Sequence, residues 1–218
     1  RNMNKLASFS ENIASKIPIC SVDITNETSI KVAVSEVQKW SDNIDIVINA
    51  TGFDVRKSLL SHSEEEINQT MTINLIGAIL VSKHFLPLLK NQKGATIVHS
   101  GGFADGRLAF PYYSVDVASR AGLFSFIESM NRELIQEQKK MHITYFCPNA
   151  ADTPSEKPYH PVWREMGISI SSTNQVTQVL LKGIKSRKIF TTLNLLSPAI
   201  ADYLLLRRYG RILKKYFG

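Results

Sequence analysis

The feature that most limits what this chain can fold into is an alternation. Short runs rich in Val, Ile, Thr and aromatic residues recur at 17–22, 44–49, 96–99, 143–147 and 188–191. Longer stretches of helical pattern separate them, at about 28–40, 64–91, 118–138 and 174–186. Strands that alternate with helices build βαβ units, so the order predicts an α/β domain with a doubly wound parallel sheet. Ser63 followed by Glu66 predicts a capping box at the start of the second helix. Pro148 and Pro154 bound a loop. The stretch 155–172 carries Pro158 and Pro161 and holds no sustained period. A length of 218 residues suits one such domain. Residues 1–197 are assigned to it and 198–218 to a separate C-terminal helix. No internal repeat or low-complexity tract interrupts it.

Five motifs sit at the strand ends and on the helices. They are Cys20-Ser21-Val22-Asp23-Ile24-Thr25, Asp45-Ile46-Val47-Ile48-Asn49-Ala50-Thr51-Gly52, Asn74-Leu75-Ile76-Gly77, Asp116-Val117-Ala118-Ser119-Arg120-Ala121-Gly122-Leu123, and Pro148-Asn149-Ala150-Ala151-Asp152-Thr153-Pro154. In this order and spacing they resemble the short-chain dehydrogenase/reductase family over nearly the whole chain. The resemblance implies a Rossmann-like sheet, an NAD or NADP cofactor, and oxidoreduction of a small-molecule carbonyl or alcohol. It implies that Asp23 and Ile24 lie at the adenine, that Asn49, Ala50 and Gly52 line the cofactor, and that Pro148 and Thr153 lie at the nicotinamide. Asn74 matches the family's catalytic asparagine. Glu133-Leu134 sets the register of the active-site helix, so Asp116 takes the place of the catalytic tyrosine and Arg120 that of the lysine.

These two replacements change the chemistry that the resemblance implies. In the family the tyrosine protonates the substrate carbonyl oxygen, the lysine lowers the tyrosine pKa and holds the ribose, and a serine fixes the oxygen. That is a tuned general acid beside a positive charge. A carboxyl with a reference pKa of about 3.9 is ionised at neutral pH. Ionised, it only accepts hydrogen bonds, and it repels a developing oxyanion. Arg120, four residues on, shares its helix face and favours the charged form. An Asp–Arg pair on the helix surface is one expectation; a buried Asp with a raised pKa that serves as acid is the other. The serine position falls on Phe103 by counting from 116, or on Gly102 by aligning the strand. Tyr112 and Tyr113 either supply a phenol from a shifted position or pack at the mouth of the cleft. The sequence therefore predicts an inactive or impaired oxidoreductase, with a reductase using Tyr112 or Tyr113 as the alternative. Asn149 replaces a glycine, and Asn tolerates positive φ. Arg1 stands near where NADP-preferring relatives carry a basic residue, or is simply solvated.

The family opens with a strand, a Gly-rich turn and a helix that bring backbone N–H groups to the pyrophosphate. No such segment precedes the helical pattern at 4–16, and the chain starts at Arg1 rather than Met. In the resembled topology the run at 17–22 and the run at 44–49 are then not neighbours, which leaves inner edges unpaired. The expectation is a natural protein longer at its N-terminus by roughly 30–45 residues, one strand–helix–strand unit, or a partner that fills the gap.

Composition narrows the remaining classes. With 44% hydrophobic and 21% charged residues the chain is ordinary for a globular protein. The net charge is +7. Residues 198–218 hold five basic residues and one acid, +4 in all, so the rest is nearly balanced and no nucleic-acid partner is expected. From Pro198, a suitable helix start, the pattern sets Leu205, Tyr209, Ile212, Leu213 and Tyr216 on one side. Arg207, Arg208, Arg211, Lys214 and Lys215 take the other. Such a helix binds an anionic membrane surface or docks on its own domain or a dimer interface. Gly210 costs it about 1 kcal/mol relative to Ala. A homo-oligomer through the helices at 64–91 and 118–138 is expected. Cys20 and Cys147 are expected as buried reduced thiols, His99 as core or cleft, and His142 and His160 as surface. No histidine pair has metal-ligand spacing. No uninterrupted apolar run spans a bilayer. The expected location is cytoplasmic, with peripheral membrane contact through the tail as an addition.

Overall fold

The computed structural model describes residues 18–102, 106–192 and 208–218. Four parallel strands form one sheet in the order β1 (Ile46–Asn49), β2 (Thr96–Ser100), β3 (His142–Cys147) and β4 (Phe190–Thr192). The register pairs Ile46 with Thr96, Thr96 with His142, and Tyr145 with Phe190. Helices connect the strands: α1 (Glu27–Gln38), α2 (Glu64–Met71) continuing through a π turn (Thr72–Ile76) into α3 (Gly77–Phe85), α4 (Ser114–Gln136), α5 (His160–Met166), α6 (Thr173–Lys185) and α7 (Gly210–Phe217).

At β2 and β3 both faces of the sheet are covered, as parallel strands require. On one face Ile97, Ile143 and Tyr145 pack against Leu123 and Ile127 of α4. On the other, Val98 and Phe146 meet Ile184 and Val179 of α6. The Ser63–Glu66 capping box forms as expected, with both reciprocal hydrogen bonds present. Inside α4, Asn131 donates to the Ile143 carbonyl at 2.8 Å and accepts from its N–H at 2.9 Å. A buried amide thus ties helix to strand with its hydrogen bonds satisfied.

Four expectations need correction. Residues 18–22 form no strand, because a ladder needs a neighbour and β1 pairs only with β2 among the described residues. On β1, Ile46 and Ile48 stay 41% and 51% exposed. The stretch without period, 155–172, contains α5. Pro161 sits in its first turn, where a missing N–H costs nothing, and Gly167 closes it at φ 76°. Seven helical residues are too few to show a period. His160 is buried rather than surface, its Nε2 3.3 Å from the Ala151 carbonyl. The helix expected at 118–138 starts earlier, at Ser114. The pattern at 4–16 and the positions Arg1, Phe103, Pro198, Leu205 and Arg207 lie outside the described residues.

The described part of the tail docks on its own domain. Leu213 and Tyr209 enter a core with Val162, Trp163 and Met166 of α5 and with Leu108, Phe110 and Tyr113. Lys215 and Tyr216 both donate to Glu165, at 2.9 and 2.8 Å. Arg208, Arg211, Lys214 and Lys215 face outward. One helical stretch, Glu64–Leu88, has the length and apolar composition of a membrane span. It begins with three glutamates and carries buried Asn74, Ala78 and Val81.

Candidate active site

The loops after β1, β2 and β3 converge at the C-terminal ends of the strands, where ligands bind in open α/β sheets. They enclose a cavity of about 350 Å³, lined among others by Gly52, Asp54, Arg56, Gly102, Asp116, Arg120, Pro148, Asn149, Thr153 and Glu156. That volume suits a small molecule.

Asp116 and Arg120 of the first turns of α4 line the cavity, and the π turn before α3 holds them from behind. Asn74 sits in that turn and holds the loop after β1: its Oδ1 accepts from Phe53 N–H at 2.9 Å and its Nδ2 donates to the Phe53 carbonyl at 2.7 Å. The same Nδ2 lies 3.1 Å from Asp116 Oδ1 and from Ser119 Oγ. Arg120 Nε donates to Asp116 Oδ1 at 3.2 Å and its Nη1 to the Ser100 carbonyl at 3.1 Å. The ion pair forms, but not on the helix surface: Asp116 is 2% exposed and Arg120 4%. Burial pushes the Asp116 carboxyl up to about 6, against the opposing pull of Arg120.

Of the two positions weighed for the serine, Phe103 lies outside the described residues and Gly102 faces the pair: a Cβ there would lie 3.7 Å from Asp116 Oδ2 and 3.8 Å from Arg120 Nε. At Gly52 a Cβ would come within 3.0 Å of Arg120 Nη2. The guanidinium thus fills the room that this glycine leaves. Neither candidate phenol lines the cavity. Tyr113 is buried between Phe110 and Phe217, ring centroids 6.0 Å from each. Burial pushes its hydroxyl well above the usual tyrosine range. Tyr112, at φ 66°, points its hydroxyl toward Gly218.

The residues matched to the cofactor divide. A second cavity of about 410 Å³, lined by Asp23, Ile24, Ala50, Thr51 and Gly52, adjoins the first and shares Ala50, Thr51 and Gly52 with it. Asp23 is oriented by its own turn, accepting from Thr25 N–H at 2.9 Å and Oγ1 at 2.7 Å. Pro148 and Thr153 line the far end. Asn149 stays outside the positive-φ region. Asn49 turns into the sheet instead: Nδ2 donates to His99 Nδ1 at 3.1 Å, while Oδ1 accepts from Thr51 Oγ1 at 2.6 Å. His99 therefore offers its Nε2 proton to Ser82 Oγ, 2.7 Å away. Burial holds its pKa down at about 3, so it is a neutral core residue.

Sequence reasoning missed Arg56. Its side chain is 5% exposed, with Nε on Asp54 Oδ2 at 2.6 Å and Nη2 on Glu156 Oε1 at 2.7 Å. The guanidinium lies 3.7 Å over the Tyr159 ring. Burial opposes its charge, but Tyr113, Asp54 and Glu156 raise its pKa further. It clasps the loop after β1 to the segment leading into α5. Glu156 is 100 residues away, so no local pattern signals the pair. Among the described residues no group of three or more His, Cys, Asp or Glu could hold a metal.

Comparison with known proteins bears on the fold and the family. The chain is 31% identical over 146 residues to alcohol dehydrogenase 1 of Ceratitis capitata, covering 66% of this chain and 53% of that one. It is 26% identical to 3-ketodihydrosphingosine reductase of Dictyostelium discoideum, covering 80% and 54%. The chain thus spans about half the length of the curated relatives it matches. The fold superposes on a short chain dehydrogenase/reductase from Burkholderia phymatum solved in complex with NAD, with a TM-score of 0.78 and 16% identity, covering 100% of this chain and 84% of that one. The family model for short chain dehydrogenase matches residues 1–161. The chain belongs to the short-chain dehydrogenase family.

Proposed function

We propose that this is a nicotinamide-dinucleotide-binding member of the family in which carbonyl reduction is lost or strongly impaired. The observation that carries this is the buried Asp116–Arg120 pair, with Gly102 opposite it, where the family has its proton donor, its lysine and its serine. The adjoining cavities fit an extended dinucleotide. Asp23 and Ile24 would meet the adenosine end, Ala50 and Gly52 the middle, and Pro148 and Thr153 the nicotinamide. NAD and NADP remain equal candidates. When bound, the cofactor supplies or accepts hydride.

What the chain's own residues offer that chemistry is poor. Ionised Asp116 repels an oxyanion, and Arg120 commits Nε and Nη1 to Asp116 and Ser100 rather than to a substrate. A positioned general acid contributes about 10²- to 10⁴-fold. The relocated-phenol alternative is weakened because neither Tyr112 nor Tyr113 lines the cavity. The test pairs dinucleotide binding, followed by fluorescence, with nicotinamide turnover over a broad carbonyl and alcohol panel. Binding without turnover supports the proposal. Turnover of about one per second or faster, within the usual range of enzymes, overturns it.

Two associations belong to the same proposal. The chain forms a homo-oligomer through α2–α3 and α4, which expose Ile76 and Ile135. The outward basic side of α7 touches anionic membranes from the cytoplasmic side, where the thiols of Cys20 and Cys147 stay reduced.

A further inference from the structure

The walls of the cavity carry an imbalance. Asp116 Oδ1 is taken by Asn74 and Arg120, but Oδ2 has no hydrogen-bond partner among the described residues, and Asp116 lines the cavity although it is 2% exposed. Gly102 puts no side chain beside that oxygen, 3.7 Å from where a Cβ would stand. Asn149, also in the wall, holds its Oδ1 buried with no hydrogen-bond partner among the described residues, a second unsatisfied acceptor. Of the donors nearby, Arg120 Nε and Nη1 are engaged by Asp116 and Ser100, and Arg56 Nε and Nη2 by Asp54 and Glu156, while Arg56 Nη1 is buried with no hydrogen-bond partner among the described residues, an orphan donor in the same wall. The charged residues of the lining are Asp54, Asp116 and Glu156 against Arg56 and Arg120, three minus two, a net of −1. A buried acceptor without a partner favours whatever brings it a proton to share.

We propose that this pocket binds small molecules that present a hydrogen-bond donor, protonated amines best and alcohols next, with Asp116 Oδ2 as the receiving atom. A tyrosine in that place donates to a carbonyl oxygen; the carboxylate accepts, so the preference inverts. The proposal rests on the reading above in one respect, that a small-molecule pocket persists without its proton donor. It does not require the dinucleotide.

The binding should depend on pH, since a protonated Asp116 attracts no cation. The groups that face this carboxyl are Arg120 on its own helix, Asp54 and Arg56 from the loop after β1, Tyr113 before α4, and Tyr145 of β3. With a pKa of about 6, the ionised fraction falls roughly tenfold between pH 7.5 and pH 5. Cyclohexylamine stays protonated across that range.

The test is an amide NMR titration of the whole protein with four probes of one shape: cyclohexylamine, cyclohexanol, cyclohexanone and cyclohexanecarboxylate. The expected order at pH 7.5 is amine, alcohol, ketone, carboxylate, with shifts centred on Gly102, Asp116 and Asn149. Amine affinity should fall about tenfold at pH 5. It should fall in Asp116→Asn, and also in Gly102→Ser, whose hydroxyl would fill the space beside Oδ2. The second variant keeps the test decisive if the first fails to fold. Equal or tighter binding of ketone or carboxylate, an unchanged order in both variants, or no probe perturbing the pocket overturns the proposal. Adding NAD separately to the same sample reads the Asp23 cavity. Its failure with the amine order intact removes the dinucleotide reading alone.

Discussion

The sign of the Asp116 titration decides how the active-site pair should be understood, and it can be measured through stability. Two effects oppose each other. Arg120 at 3.2 Å favours the charged carboxylate, by roughly 5 kcal/mol at an effective dielectric of about 20. Taking the ion out of water costs several kcal/mol. Asp116, 3% exposed in its side chain, lets burial win, and its pKa stands at about 6 against the usual 3.8. A carboxyl raised in the folded state contributes stability that is fully present below the unfolded pKa. That stability is lost as pH rises through the folded pKa. A shift of about two units corresponds to roughly 3 kcal/mol, lost between about pH 4 and pH 6. Asp116→Asn has no such proton. Urea unfolding of both proteins from pH 4 to pH 8 should therefore show the variant gaining on the wild type by up to about 3 kcal/mol as pH rises, whatever the constant offset between them. Parallel curves would show that Arg120 balances burial, and a wild type that gains on the variant as pH rises that it outweighs burial; either result would make the pair an ordinary ion pair.

Other outcomes follow from the same geometry. The triple change Asp116→Tyr, Arg120→Lys and Gly102→Ser should raise nicotinamide turnover by at least about 10²-fold; no gain would mean that the pocket has lost more than its acid. Tyr113→Phe should leave turnover where it is, since the ring packs in the core, and a measured loss would revive the relocated phenol. Arg56→Met should destabilise by up to about 3 kcal/mol in urea, less than a fully buried pair because Asp54 and Glu156 are partly exposed. Leu213→Ala should cost about 2–5 kcal/mol as a core truncation. Sedimentation with anionic vesicles should weaken with salt and with reversal of Lys214 and Lys215; capture indifferent to both would assign α7 to the core alone.

By itself the sequence determined the alternation of strands and helices that builds the sheet, the capping box at Ser63 and the family resemblance. Each is carried by neighbouring residues or by a resemblance in linear order. The pairing of Asp116 with Arg120 was legible because helix spacing is local. Their burial was not. It depends on the π turn bearing Asn74, 42 residues earlier, and on the glycines of two other loops, and so does the direction in which the Asp116 pKa moves. The run at 18–22 has strand composition, but forms no strand because pairing is a property of two segments. His160 looked like a surface residue beside a proline and is buried because α5 packs on the core that Tyr209 and Leu213 of the tail complete. The clasp of Arg56 had no sequence signal at all, since Asp54 is near but Glu156 and Tyr159 come from another loop. Tertiary structure decided these features because solvation and pairing are set by whatever packs against a group, and here those neighbours lie tens of residues away.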